Sequence, residues 1–317
     1  MTVRNRHSEE GIRGILGAAA SLAALLFTAL ICLFFSGRTK EYASEALTLC
    51  AAVILPSIFP FFILSDAYSA LGKPERITPL SRLFSRLFGT EPVGFSVYVS
   101  GVLFGFPLSA VLAARQCKRG ELSVGAAERL VAYSSLPSAP FVITSVGAGM
   151  LGDRWGGFLL FLSCLSSSII CGIIFRGNGE KCINIDYNSR QKFNLVESIR
   201  SAGLNSVCVC SFITAFFCLA SALCDLLSKT PLFPIIAPFI EVSFASLFFS
   251  SLLCASGSLY HLFGLGFALG FGGFSVLMQS QALLVGSGVS LKKYLPIKLT
   301  QGLISGGLSV VFFHLFR

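Results

Sequence analysis

The chain has 317 residues, 54% of them hydrophobic and only 12% charged, with a formal net charge of +9. A soluble domain carries about 25% charged residues, so this chain cannot coat a water-facing surface of its size, and lipid must be the missing solvent. The positive balance does not point to nucleic acid: Lys and Arg lie in short stretches between apolar runs, which fits a positive-inside bias and anionic headgroups, and no aromatic-studded basic face occurs.

In chain order, residues 14–35 form the first apolar run, long enough for a hydrocarbon core of ~30 Å and preceded by Arg4, Arg6 and Arg13. The run is too long for the apolar part of a signal peptide and lacks a small-x-small cleavage site, so it reads as a retained span. The second run, 43–71, contains Pro56 and Pro60 and is expected to kink or break. Within 79–88, Leu80, Leu83, Phe84, Leu87 and Phe88 share one helical face, with Arg82 and Arg86 off it. That pattern predicts a short basic amphipathic helix in the headgroup plane, a solvated linker being the alternative.

Residues 93–114 are apolar but interrupted at Gly105-Phe106-Pro107. A charged stretch at 115–129 precedes another apolar run, 130–151, interrupted at Pro137 and Pro140. Residues 155–175 read as an unbroken span with Trp155 at its interface end, and a polar stretch at 176–194 follows. The second half holds apolar runs at 199–227, at 231–255 (with Pro234, Pro238 and Glu241), at 259–284 and at 297–316. The third of these is broken at Gly270-Phe271-Gly272-Gly273, and Lys292 and Lys293 mark a loop before the last. The fold class is therefore all-α: a polytopic, multi-pass membrane protein with about eight or nine apolar segments, three or four of them discontinuous.

The halves resemble each other. LFGFPLSAVLAARQCKRGELS, residues 103–123, aligns with LGFGGFSVLMQSQALLVGSGVS, residues 269–290, placing Ser109 on Ser275 and Gly120 on Gly286. PFFILSDAYSAL from Pro60 falls roughly on AFFCLASALCDL from Ala215, in the same order. We expect an internal two-fold repeat, with 1–42 an N-terminal span, 43–175 the first repeat and 196–317 the second. Paired broken helices in two halves are the sequence pointer to a transporter-type site.

Breaks free backbone groups that lipid cannot satisfy, so they must face protein, water or a ligand. Breaks are expected at Phe59-Pro60, Gly105-Phe106-Pro107, Pro137-Ser138-Ala139-Pro140 and Gly272-Gly273, with hydroxyls nearby on Ser109, Ser135, Ser138 and Ser275. Helix ends together with hydroxyls suit a polar organic solute, whereas the alternative is that Gly and Pro only shape helix packing. Glu241 has the least polar surroundings of any acid in the chain, so it must face an interior cavity or be protonated. It reads as a proton-coupling group or a substrate hydrogen-bond partner, or else as a packing hydrogen bond. Asp66 is a second proton-coupling candidate and Asp225 a weaker one, while Gln279 stands one helical turn beyond Ser275. Eleven scattered Cys and three unclustered His predict no metal site, and no GxSxG, Walker A, HExxH or dinucleotide fingerprint occurs, so neither an enzyme nor a cofactor is expected.

LPSIFPFFILSDAYSALG, SGVLFGFP, KRGELSVGAAERLVAYSS and PFVITSVGAGMLG, followed later by FIEVSF and GFGGFSVLMQ, resemble in this order the sporulation integral membrane protein YlbJ family. The resemblance covers residues 55–152 and 239–281. It departs from the family pattern at Phe106, where a Tyr is usual, and at Leu136, Pro137 and Ala139, where Asn residues precede Ser-Gly-Pro. The resemblance implies a nucleoside-recognition, or Gate, domain, a role in endospore formation and a small, nucleoside-like polar solute as partner besides membrane lipid. The alternatives are a non-transporting membrane scaffold for spore envelope assembly and an intramembrane enzyme, the latter without a recognisable nucleophile–base pair.

Overall fold

The computed structural model describes residues 36–70, 78–177, 194–227, 230 and 232–316, and every regular element among them is helical. The expected span at 14–35 lies outside these residues, as does 178–193 of the polar stretch. In chain order the elements are α1 (Ser36–Leu49), a π-helical turn (Cys50–Ile54), α2 (Leu55–Ala70), α3 (Pro79–Phe88), α4 (Gly94–Phe104), α5 (Leu108–Lys118) and α6 (Val124–Ser134). A π-helix (Phe141–Met150), α7 (Arg154–Ile174), α8 (Leu195–Leu227), α9 (Phe233–Ile240), α10 (Val242–Ser256), α11 (Leu259–Phe271), α12 (Gly273–Leu284) and α13 (Tyr294–Phe316) follow.

Among the described residues, four helices are long and apolar enough to cross a membrane: Arg154–Ile174, Leu195–Leu227, Leu259–Leu284 (α11 and α12 taken together) and Tyr294–Phe316. The pair Arg38–Ile54 and Ile58–Leu64, bent by 48°, makes either a broken fifth span or a re-entrant loop. The expected eight or nine segments are thus not matched by that many full spans. The difference lies in apolar helices of half length, since α4 has 11 residues, the π-helix 10 and α10 15. At 1.5 Å per residue such pieces reach ~15–23 Å, short of a ~30 Å hydrocarbon core.

Local chemistry explains where the pieces end. Pro60 does not break its helix as expected; it sits inside α2, and the irregularity falls at the π-helical turn before it. Proline removes the N–H that would reach the carbonyl four residues back, so Pro56 leaves Ala52, inside the π turn, without its α-helical donor. Thr78 caps α3, accepting the Ser81 N–H at 3.1 Å, and Gly89 closes it in the left-handed region. The charged stretch 115–129 holds the end of α5, a tight turn at 119–123 and the start of α6, and Arg129 is buried within α6.

Helix α13 packs against α11, α7 and α6, while α8 packs against α2 and α1. The α11–α13 crossing is close because both faces are small: a methyl group at Gly266 would stand 2.2 Å from Ser309 Oγ, and one at Gly270 2.5 Å from Ser305 Cβ. The element order does not repeat simply. In the first half the glycine break between α4 and α5 precedes the break after α6, whereas in the second half the Glu241 break precedes the glycine break between α11 and α12.

Candidate functional site

Among the described residues, four of the breaks in the apolar helices pack in two pairs. The first pair joins the end of α4 to the end of α6. Gly105 adopts φ +80° and comes so close to Ser138 that a methyl group there would lie 2.8 Å from the Ser138 nitrogen. The Phe106 N–H donates to the Leu136 carbonyl at 2.7 Å. The second pair joins the end of α9 to the start of α12, where Gly273, at φ +81°, stands against the Ile240 carbonyl and the Glu241 backbone. The two pairs meet at Phe106, whose ring lies against Gly272.

Three carbonyls at the α6 break find partners within the protein. The Tyr133 carbonyl accepts from Ser168 Oγ at 2.6 Å and Gln301 Nε2 at 3.4 Å, the Ser135 carbonyl from Lys298 Nζ at 2.7 Å, and the Ser134 carbonyl from the Leu136 N–H at 2.9 Å. Protein side chains thus take the place that water holds at an exposed helix end.

Glu241 is itself a break, which its sequence does not announce. Its backbone is extended, at φ −149° and ψ 131°, and its Oε2 accepts the Phe244 N–H at 2.7 Å, making it the N-cap of α10. Ser138 takes the same position before the π-helix, accepting the Phe141 N–H at 3.4 Å. Both side chains face one cavity of about 50 Å³, lined also by Phe104, Phe106, Phe141 and Gln279. Glu241 is 1% exposed, and among the described residues its Oε1 has no hydrogen-bond partner. Gln279 Nε2 donates to Ser275 Oγ at 3.0 Å, which fixes the amide's orientation beside the cavity.

The other expected site residues fall elsewhere. Gly105, Pro107, Gly272 and Gly273 frame the breaks without lining the cavity, and Ser275 supports Gln279. Ser109 is buried near the start of α5, with no hydrogen-bond partner for its hydroxyl among the described residues. Ser135 points its hydroxyl back to the Val131 carbonyl at 2.6 Å, and Pro140 is exposed just before the π-helix. Asp66 is away from the cavity and pairs with Arg115 of α5, while Asp225 pairs with Arg38 at 2.8 Å and accepts from Tyr42. Sequence reasoning passed over Lys298, which is wholly buried. Among the described residues no group of His, Cys, Asp and Glu is placed to hold a metal ion.

Helices that cross or half-cross a bilayer, with breaks sealed by buried polar side chains, define a multi-pass α-helical membrane protein. Among curated proteins, the sporulation integral membrane protein YlbJ of Bacillus subtilis (strain 168) is similar to it, 29% identical over 142 residues. That match takes in 44% of this chain and 35% of the relative's length. No model of a known protein family matches the chain, and no solved structure does.

Proposed function

We propose that this chain is a membrane protein of endospore formation that binds a small polar solute where its broken helices meet and passes it across the bilayer. The likeness to a sporulation integral membrane protein supports the setting. The solute site rests on one observation: the buried Glu241 presents an unpartnered carboxylate oxygen to a cavity bordered by Ser138 and Gln279. A buried acid with one oxygen unpaired inside a membrane protein is expensive and points to function, here a proton or a hydrogen-bonding solute. With aromatic rings and few polar groups, and without a nucleophile–base pair, the site suits binding rather than catalysis.

The resemblance to a nucleoside-recognition, or Gate, domain bears on solute size. Pockets for organic ligands run to about 300–1,000 Å³; a cavity of about 50 Å³ has room for a few waters. A nucleoside-sized solute therefore requires the cavity to open, and the arrangement described is a closed one. The glycine breaks at Gly105 and at Gly272 and Gly273, each at positive φ, are the hinges this reading expects.

The test is Glu241→Gln in a sporulation complementation assay, together with uptake by the purified chain in liposomes screened against nucleosides and other small polar solutes. The variant is expected to insert and fold but to lose activity. Full activity would reduce Glu241 to a packing residue and favour the scaffold reading.

A further inference from the structure

Lys298, on the first turns of α13, is 0% exposed, and nothing in the solute-site reading uses it. Its Nζ donates to the Ser135 carbonyl at 2.7 Å and to Gln301 Oε1 at 2.9 Å. No acidic side chain pairs with it among the described residues. Around it stand Cys164 and Cys171 of α7, and the same cluster brings in Tyr133 through Gln301. Tyr294 lies beside Ser135 and Ser280. The ammonium faces the C-terminal end of α6, where helix carbonyls gather negative charge, so that end serves as its counter-charge.

A neutral amide would seal one carbonyl at less cost, as Gln301 does for Tyr133. Burying an ammonium carries a penalty of several kcal/mol, offset only by strong charge-assisted bonds. Such a bond is a firm hold on whatever it grips, and here it grips the one stretch between α6 and the π-helix that helical hydrogen bonds leave slack. Ser135 and Ser138 are the two ends of that non-helical stretch. Ser138 borders the cavity, and Phe106 on the adjoining wall hangs from the Leu136 carbonyl between them.

We infer that Lys298 is the positioning residue of the cavity: its ammonium clasps residues 135–138 to α13 and so sets where Ser138 and Phe106 stand, and release of the clasp is what lets the cavity open. The functional meaning of the clasp rests on the cavity being the solute site; its mechanical part does not.

Hydrogen–deuterium exchange on the purified full chain in lipid nanodiscs tests it. Lys298→Met removes the donors at similar length. Amide exchange within 131–142 and at Phe106 is expected to rise about tenfold, the loss of one charge-assisted hydrogen bond, with α7 and α11 unchanged. Lys298→Gln keeps a neutral donor and is expected to recover most of the protection, leaving a rise of about threefold at the same amides. If Lys298→Met does not fold, Lys298→Gln alone decides, a rise confined to those amides supporting the clasp. No rise in either variant, or a rise spread evenly over α6, α7 and α11, overturns it. The outcomes separate from those at the solute site: full activity of Glu241→Gln removes that site and leaves the exchange result standing, whereas unchanged exchange removes the clasp whatever Glu241 does.

Discussion

Glu241 caps the helix that follows it through the Phe244 N–H, at 2.7 Å, so the acid with the strongest functional signal also holds a structural bond. The two duties separate by substitution. Glu241→Gln keeps an acceptor oxygen for Phe244, and its melting temperature is expected within about 2 °C of the parent. Glu241→Leu leaves that N–H bare in a buried place and is expected to lose about 1–2 kcal/mol. Thermal unfolding of the detergent-solubilised protein followed by circular dichroism reads both. Equal destabilisation by Gln and Leu would mean that the charge, and not the cap, supports the fold.

The α11–α13 contact makes a sharper stability prediction. Gly270→Ala forces a methyl group to 2.5 Å from Ser305 Cβ, a clash between two helices rather than with a flexible tip. Overpacking of this kind is expected to destabilise by about 1–3 kcal/mol. Gly307→Ala on α13 is the control, since nothing lies within 4 Å of the added atom, and removing a helical glycine there is expected to gain about 0.5–1 kcal/mol. Similar melting temperatures for the two variants would show that the helices part more readily than their spacing suggests.

Helix α3 turns Phe84 and Phe88 inward, onto Tyr98, and leaves Leu80, Leu83 and Leu87 exposed beside Arg82 and Arg86. That pattern suits a helix in the headgroup plane of the cytoplasmic leaflet, with leucines in the acyl boundary and arginines at the anionic surface. A variant with Arg82→Cys as its sole cysteine, the eleven native ones replaced by Ser or Ala, is expected to react with a membrane-impermeant maleimide in inside-out vesicles and not in intact cells. Reaction from outside the cell alone would place the helix on the opposite face.

Much of the cavity was legible because its residues are conspicuous in an apolar chain. Gly105-Phe106-Pro107 and Pro137-Ser138-Ala139-Pro140 are strong helix breakers, and Glu241 is a lone acid among Ile, Phe and Val. The break at Glu241 was not legible: an extended residue between two apolar helices leaves little local mark beyond Pro238, and its capping role emerges only from backbone geometry. Phe59-Pro60 failed in the opposite direction: Pro60 sits inside a continuous helix, and the irregularities fall earlier, at the π turn of residues 50–54 and the bend that follows it. Lys298 was hidden by Lys292 and Lys293, which make the start of α13 look like a solvated loop end. Its burial is decided by a carbonyl 163 residues earlier in the chain, beyond the reach of any local pattern.

The capping of α6 by α13 also orders the protein's biosynthesis. The carbonyls of Tyr133 and Ser135 are made well before Gln301 and Lys298, which leave the ribosome only with α13, more than 160 residues later. Until then the α6 break carries polar backbone that lipid cannot serve, and the half-length helices beside it are too short to be held by the bilayer alone. The nascent first half must therefore keep this region wet, or shielded by the insertion machinery, until α13 is made and seals it.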